Sequence, residues 1–191
     1  RGKVLNVEHA PLSKVLENKE LSDLVTALGC GFGKTFDLSQ LRYDRVIILA
    51  DADADGNHIA TLLLTFLYRY LPRLISGGKV FLAQPPLYRI DAGKQTHWAL
   101  DDTQLAVLLA DIKRNSGKLK PEVTRFKGLG EMMPKILWET TLNPETRRLQ
   151  RVAIADKIRT DTAINDLMGR DASARFRFIM DRAEEAEGLD V

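Results

Sequence analysis

The sequence predicts an α/β fold, and three stretches carry that prediction. Val46, Ile47, Ile48 and Leu49 form an unbroken apolar run of strand length, as expected of a strand covered on both faces of a parallel sheet. Residues 57–76 follow with apolar side chains around most of their surface, among them Leu62, Leu63, Leu64, Phe66, Leu67 and Leu71. That pattern reads as a core helix. Arg69, Pro72 and Arg73 interrupt it too early for a membrane span. A second strand is expected over 79–84, so strand, helix and strand make a right-handed βαβ unit.

The remaining elements follow from local punctuation. Leu21, Leu24, Val25 and Leu28 recur at helical spacing, and Gly29 supplies a stop. Beyond a compositional shift after Asp91, a strand is expected at 94–100, a capped helix at 101–115 and a linker at 116–121. A strand at 123–126, a helix from Pro134, a turn at Asn143 and Pro144, and charge-rich helices from Thr160 to Leu189 complete the chain. We expect a first domain over residues 1–120 and a mostly helical tail over 121–191, packed on it. The acidic end at Glu184, Glu185 and Glu187 reads as a solvated face.

Function is concentrated where the first strand ends. Asp51, Asp53 and Asp55 occupy every second position of DADADG, and ligand sites in parallel sheets lie beyond the carboxyl ends of the strands. Asp51 and Asp53 point the same way if the chain stays extended. Carboxylates this close repel one another unless a cation joins them, and hard oxygen donors suit Mg²⁺ rather than zinc or copper. All three are candidate metal ligands. An EF-hand opens with the same pattern, but its twelfth position needs a bidentate Glu and Leu62 stands there. The plainer alternative is that the acids cap the following helix, Asp55 before Gly56 and Asn57 being the first choice.

Other signals mostly exclude. Gly29 to Thr35 is rich in glycine, but a P-loop needs Gly where Leu28 stands. Cys30 is the only cysteine, so neither an intrachain disulfide nor a cysteine-rich zinc site can form. His9, His58 and His97 lack metal-ligand spacing. With 28 basic against 26 acidic residues the net charge is only +2, so any nucleic-acid surface has to be a local patch. No signal peptide is visible, which favours the cytoplasm.

DADADGNHIATLLL resembles the DxDxDG signature of the Toprim domain of type IIA DNA topoisomerases, a Rossmann-like fold. Further pieces agree in order along nearly the whole chain: RGKVLNV from Arg1, LRYDRVIILAD from Leu41, AQPPLYRI from Ala83, RFKGLGEMMP from Arg125 and ETTLNPETRRL from Glu139. The likeness is to the bacterial B subunits. Topoisomerase IV is the branch we expect from the wording, with gyrase as the alternative.

The resemblance implies metal-assisted phosphoryl transfer between a DNA backbone and a tyrosine. Asp51 and Asp53 would be catalytic metal ligands for Mg²⁺, with Mn²⁺ or Ca²⁺ able to substitute, and Asp55 would bind through water. Lys3, Asn6 and Arg1 would lie at the cleaved duplex, Arg1 where quinolone-type drugs act, and Lys127 of FKGLGEM is a further candidate for DNA contact. The nucleophile would come from an A subunit in an A2B2 assembly, and Tyr43, Tyr68, Tyr70 and Tyr88 are accordingly expected to pack. The family's upstream glutamate motif and its ATP-binding domain are not in this sequence, so the segment alone is expected to be inactive. Two other readings keep their place: a different Toprim enzyme such as a primase or nuclease, and a non-catalytic module whose acids only cap.

Overall fold

A computed structural model describes residues 3–116 and 120–185. The elements run α1 (Leu12–Glu17), α2 (Lys19–Leu28), β1 (Val46–Ile48), α3 (Ala54–Tyr70), α4 (Pro72–Ser76), β2 (Val80–Ala83), β3 (Tyr88–Ala92), β4 (Gln95–Ala99), α5 (Asp102–Ser116), β5 (Glu122–Arg125), α6 (Pro134–Leu137), β6 (Leu149–Arg151), α7 (Lys157–Met168) and α8 (Ala172–Asp181). The fold is α/β, with a mostly helical tail, as expected. Most of the expected linker, residues 117–119, and Glu187 of the acidic end lie outside the described residues.

Contacts divide the chain into two compact units, residues 1–44, 61–79 and 152–191 in one, residues 45–60 and 80–151 in the other. Each therefore draws on sequence from both sides of residue 120.

The second unit holds both sheets. β1 and β2 are parallel, with Val46 opposite Val80 and Ile48 opposite Leu82, which is the expected βαβ pairing. The sheet is not all parallel, however. β6 adds to the other edge of β2 in the antiparallel sense, Phe81 opposite Arg151 and Ala83 opposite Leu149. Arg148 to Arg151 are too polar to signal a buried strand, and an edge strand needs only one covered face.

A second sheet, β4-β3-β5, is antiparallel throughout. β3 is an addition to the expected elements, and its alternation is the signal for it. Tyr88 and Ile90 are buried while Arg89 and Asp91 are half-exposed, a period of two. The chain turns at Gly93, φ +66°, straight into β4, so the shift after Asp91 is the approach to a hairpin turn. Tyr88, Ile90, Ala99 and Ile112 form the core here, with Leu105, Leu108 and Leu109 of α5 laid against it. Asp101 caps α5, accepting from Gln104 N at 2.8 Å, and the Gln104 side chain returns the bond to Leu100 N at 3.1 Å.

In the first unit, Gly29 closes α2 in the left-handed region at φ +71°, its N–H reaching Val25 O at 3.1 Å. The glycine-rich run is thus a helix stop. The core helix expected over 57–76 is two helices. Leu71 leaves helical geometry, and Pro72, lacking an N–H, opens α4 at the position that tolerates it. Phe66, Leu67, Leu71 and Leu74 are wholly or almost wholly buried, as are Val15, Leu21 and Cys30. Phe32 stacks on Phe66 and Tyr70. Arg69 reaches both Glu8 and Asp161, and Asp156 and Asp171 cap α7 and α8 through Arg159 N and Ser173 N. Among the described residues no helix is long and apolar enough to cross a membrane.

Candidate metal centre at the end of the first strand

β1 ends at Ile48, and by Ala54 the backbone is helical, so only a short exposed turn, carrying Asp51 and Asp53, separates strand from helix. The extended geometry that would align the three acids therefore runs out before Asp55. Asp53 caps α3: its Oδ1 accepts from Gly56 N at 2.7 Å, satisfying one of the orphan amides of the helix start. Asp55 already lies inside the first helical turn, where successive residues rotate by about 100° instead of alternating. Among the described residues no three His, Cys, Asp or Glu side chains are grouped so as to hold a metal ion. The acids thus do not close a three-carboxylate cage, and Asp53 caps the helix.

Asp51 has a partner that spacing could not reveal. Its Oδ1 accepts from Leu129 N at 2.8 Å, across 78 residues of sequence. The segment that brings Leu129 there follows β5. Glu131 bends back so that its Oε2 accepts from Lys127 N at 2.8 Å, while Glu131 N donates to Gly128 O at 3.2 Å and Met132 N to Leu129 O at 3.1 Å. Gly128 lets this loop come close: a Cβ there would stand 3.2 Å from Asp51 Oδ1 and 3.3 Å from its Cγ. A Cβ on Gly56, in turn, would be driven onto the Asp51 carbonyl oxygen. Two glycines far apart in sequence therefore pack closely on one aspartate, Gly56 on its backbone and Gly128 on its carboxylate.

Asp51 also borders an open cavity of about 290 Å³. Ile48, Ala50, Leu82 and Gln84 line it with Asn57 and Asp101, so it lies beyond the carboxyl ends of β1 and β2, the expected place for a ligand in such a sheet. Asp51 and Asp53 are exposed. Each engages one carboxylate oxygen with a backbone N–H, which orients the group. Two oriented, solvent-accessible carboxylates are hard oxygen donors that fit Mg²⁺, an ion that retains several waters and takes few protein ligands.

The other candidates are distributed as follows. Lys3 is exposed. The Asn6 amide is engaged within its own unit, donating to Met168 O at 3.0 Å and accepting from Glu8 N at 3.1 Å. Arg1 lies outside the described residues. Lys127 is exposed and starts the loop whose amide Glu131 holds. Tyr68 and Tyr88 are buried and Tyr70 stacks on Phe32, in line with packing, but Tyr43 is 52% exposed and does not share that role. Sequence reasoning missed Glu131 and the Leu129 amide; the paired glycines of KGLG were the available sign of a close backbone approach.

Comparison with known proteins finds two family matches. A model of the Toprim domain matches residues 1–85, and a model described as DNA gyrase B subunit, carboxyl terminus, matches residues 118–180. The DNA gyrase B subunit of Archaeoglobus fulgidus is 47% identical over all 191 residues of this chain, that of Thermotoga maritima 48% over 191, and that of Thermus thermophilus 49% over an alignment of 195. Over its whole length this chain is similar to DNA gyrase B subunits. It spans only 29% of the length of the first two of those relatives and 30% of the third.

The hydrogen bond from Leu129 to Asp51 joins the two matched regions of this chain, since Asp51 falls in the Toprim match and Leu129 in the carboxyl-terminal one. The names of these relatives lend no support to the expected topoisomerase IV branch. They favour the alternative, gyrase.

Proposed function

We propose that this chain is the metal-binding, DNA-cleaving part of a gyrase B subunit, acting in the cytoplasm with an A subunit in an A2B2 assembly on double-stranded DNA. The observation that carries the reading is the Asp51 carboxylate, exposed beside a cavity at the strand ends and oriented by the Leu129 amide.

In this reading Asp51 and Asp53 hold Mg²⁺, with Mn²⁺ or Ca²⁺ able to replace it, and Asp55 acts through water. When bound, the ion stabilises charge on the sugar oxygen that leaves and returns, and anchors a neighbouring phosphate. The chain's own contribution is placement. β1 and α3 set the two carboxylates on one short turn, the Leu129 N–H and the Gly56 N–H fix their orientation, and Lys3, Asn6 and Lys127 neutralise or position DNA phosphates without reading sequence. The attacking tyrosine is the A subunit's. Arg1 adds a cation where quinolone-type drugs meet the cleaved duplex, and ATP belongs to a further domain of the full-length protein.

The test pairs a full-length B subunit carrying this sequence with its A subunit and measures Mg²⁺-dependent plasmid cleavage, ATP-dependent supercoiling and decatenation. Asp51→Asn should abolish all three while leaving DNA binding in place. Decatenation without negative supercoiling in the unmutated enzyme would return the assignment to topoisomerase IV, and cleavage undiminished in Asp51→Asn would overturn the metal site.

A further inference from the structure

We propose that the loop from Lys127 to Glu131 is a clamp that presets the Asp51 carboxylate for a divalent cation, with Glu131 and Gly128 as its positioning residues. The inference rests on the metal reading of Asp51 and deepens it.

Three observations converge on the loop. It reaches the first strand's turn through the Leu129 N–H, which takes Asp51 Oδ1 at 2.8 Å, so this amide sets which way the carboxylate faces. The loop is held shut by its own side chain, Glu131 Oε2 accepting from Lys127 N at 2.8 Å, with Glu131 N and Met132 N closing the next two bonds onto Gly128 O and Leu129 O. Finally, Gly128 stands where any side chain would press on the Asp51 carboxylate, 3.2 Å from Oδ1.

The physical consequence is preorganisation. An exposed aspartate at the end of a strand rotates freely about its side-chain torsions, and a cation that needs a particular oxygen direction must freeze that rotation on binding. An N–H fixed by a closed loop takes one oxygen in advance and leaves the other turned outward, as outer hydrogen-bond partners do for ligands in metal sites generally. Glu131 serves here as a hydrogen-bond acceptor, so its shape matters and its charge does not. Glutamine in its place still offers a carbonyl oxygen to Lys127 N; alanine offers nothing.

The experiment uses the full-length B subunit. Mn²⁺ binding is followed by loss of the free-ion electron paramagnetic resonance signal, without DNA or A subunit. The Mg²⁺ concentration for half-maximal cleavage is then measured with both present, and thermal unfolding is recorded in chelator. Glu131→Ala and Gly128→Ala should each weaken Mn²⁺ binding and raise the Mg²⁺ requirement by about tenfold, the lower end of the range for lost outer partners. Maximal cleavage at saturating Mg²⁺ should persist, and Glu131→Gln should behave as the unmutated protein. If Glu131→Ala leaves metal binding unchanged while Asp51→Asn abolishes it, the clamp is wrong and the metal site stands. If Glu131→Gln is as damaging as Glu131→Ala, Glu131 acts through its charge and the positioning role is overturned. If Asp51→Asn binds Mn²⁺ normally, the metal reading and the clamp fail together. Should Glu131→Ala unfold, Gly128→Ala decides the matter by the same measurements.

Discussion

Arg69 grips Glu8 with a two-pronged contact, Nε to Oε2 at 2.7 Å and Nη2 to Oε1 at 2.8 Å, while its Nη1 pairs with Asp161. One side chain on α3 thereby fastens the amino-terminal segment that carries Lys3 and Asn6, and also α7. Glu8 is largely buried, and breaking a pair of this kind strands a charge away from water. We predict that Arg69→Ala lowers stability by about 2 kcal/mol, or roughly 4–8 °C in Tm for a chain of this size. Arg69→Lys, which keeps the charge and loses the fork, should fall between. An unchanged melting curve for Arg69→Ala would show that the contact contributes nothing.

Gly56 offers a test in which two effects have opposite signs. Alanine in a helix is intrinsically favoured over glycine by about 1 kcal/mol, so propensity alone predicts that Gly56→Ala stabilises. The Cβ, however, would run into the Asp51 carbonyl, and forcing atoms into a filled space costs about 1–3 kcal/mol. We predict a net loss of Tm together with loss of metal-dependent cleavage. A gain in Tm would mean that the turn between β1 and α3 yields easily.

Asp53 is asked to cap a helix and to bind a cation, and the two roles separate by substitution. Asparagine still accepts from Gly56 N and caps as well as aspartate, whereas alanine does not, at a cost of about 1 kcal/mol. Asp53→Asn should therefore retain its Tm and lose Mg²⁺-dependent cleavage, while Asp53→Ala loses both. Cleavage that survives in Asp53→Asn would reduce Asp53 to a cap. Asp55→Ala should be milder than Asp53→Ala in the same cleavage assay, and equal losses would reverse that ranking.

Tyr88 predicts an alkaline limb. Its hydroxyl donates to Asp102 Oδ1 at 2.6 Å, and this bond, followed by burial, raises the phenol above its ordinary value of 10.0. A folded-state pKa above the unfolded one means stability that is fully present below pH 10 and is lost as pH rises through the raised value. Tyr88→Phe, which cannot ionise, should melt below the unmutated protein near neutrality, and the gap should close as pH climbs past about 10. A gap that stays constant to pH of about 11 would exclude this tyrosine as the titrating group.

Much of this fold is legible in local sequence. The apolar run before Asp51, the helix of leucines after it and the β-rich stretch at Val80 specify the βαβ unit because each is a local statement about periodicity and length. The Gly29 stop and the Asp101 cap are equally local, since a cap involves residues at most a few positions apart. β6 and β3 are harder: an edge strand as polar as Leu149 to Arg151 acquires its identity from the strand it joins, and β3 hides behind two prolines although its alternation is present.

For the site, the division follows the range of the forces. Sequence by itself placed Asp51, Asp53 and Asp55 on the turn after a buried strand, since chain connectivity leaves a motif of six residues nowhere else to go. Only the tertiary structure decided how those acids differ. Helix geometry begins at Ala54 and ends the two-residue alternation that would have aligned them. The amide that orients Asp51 belongs to Leu129, 78 residues later, and the space that orientation needs is kept by Gly56 and Gly128. A hydrogen bond acts over about 3 Å, so its partner is chosen by where the folded backbone passes, and no spacing along the chain encodes that distance.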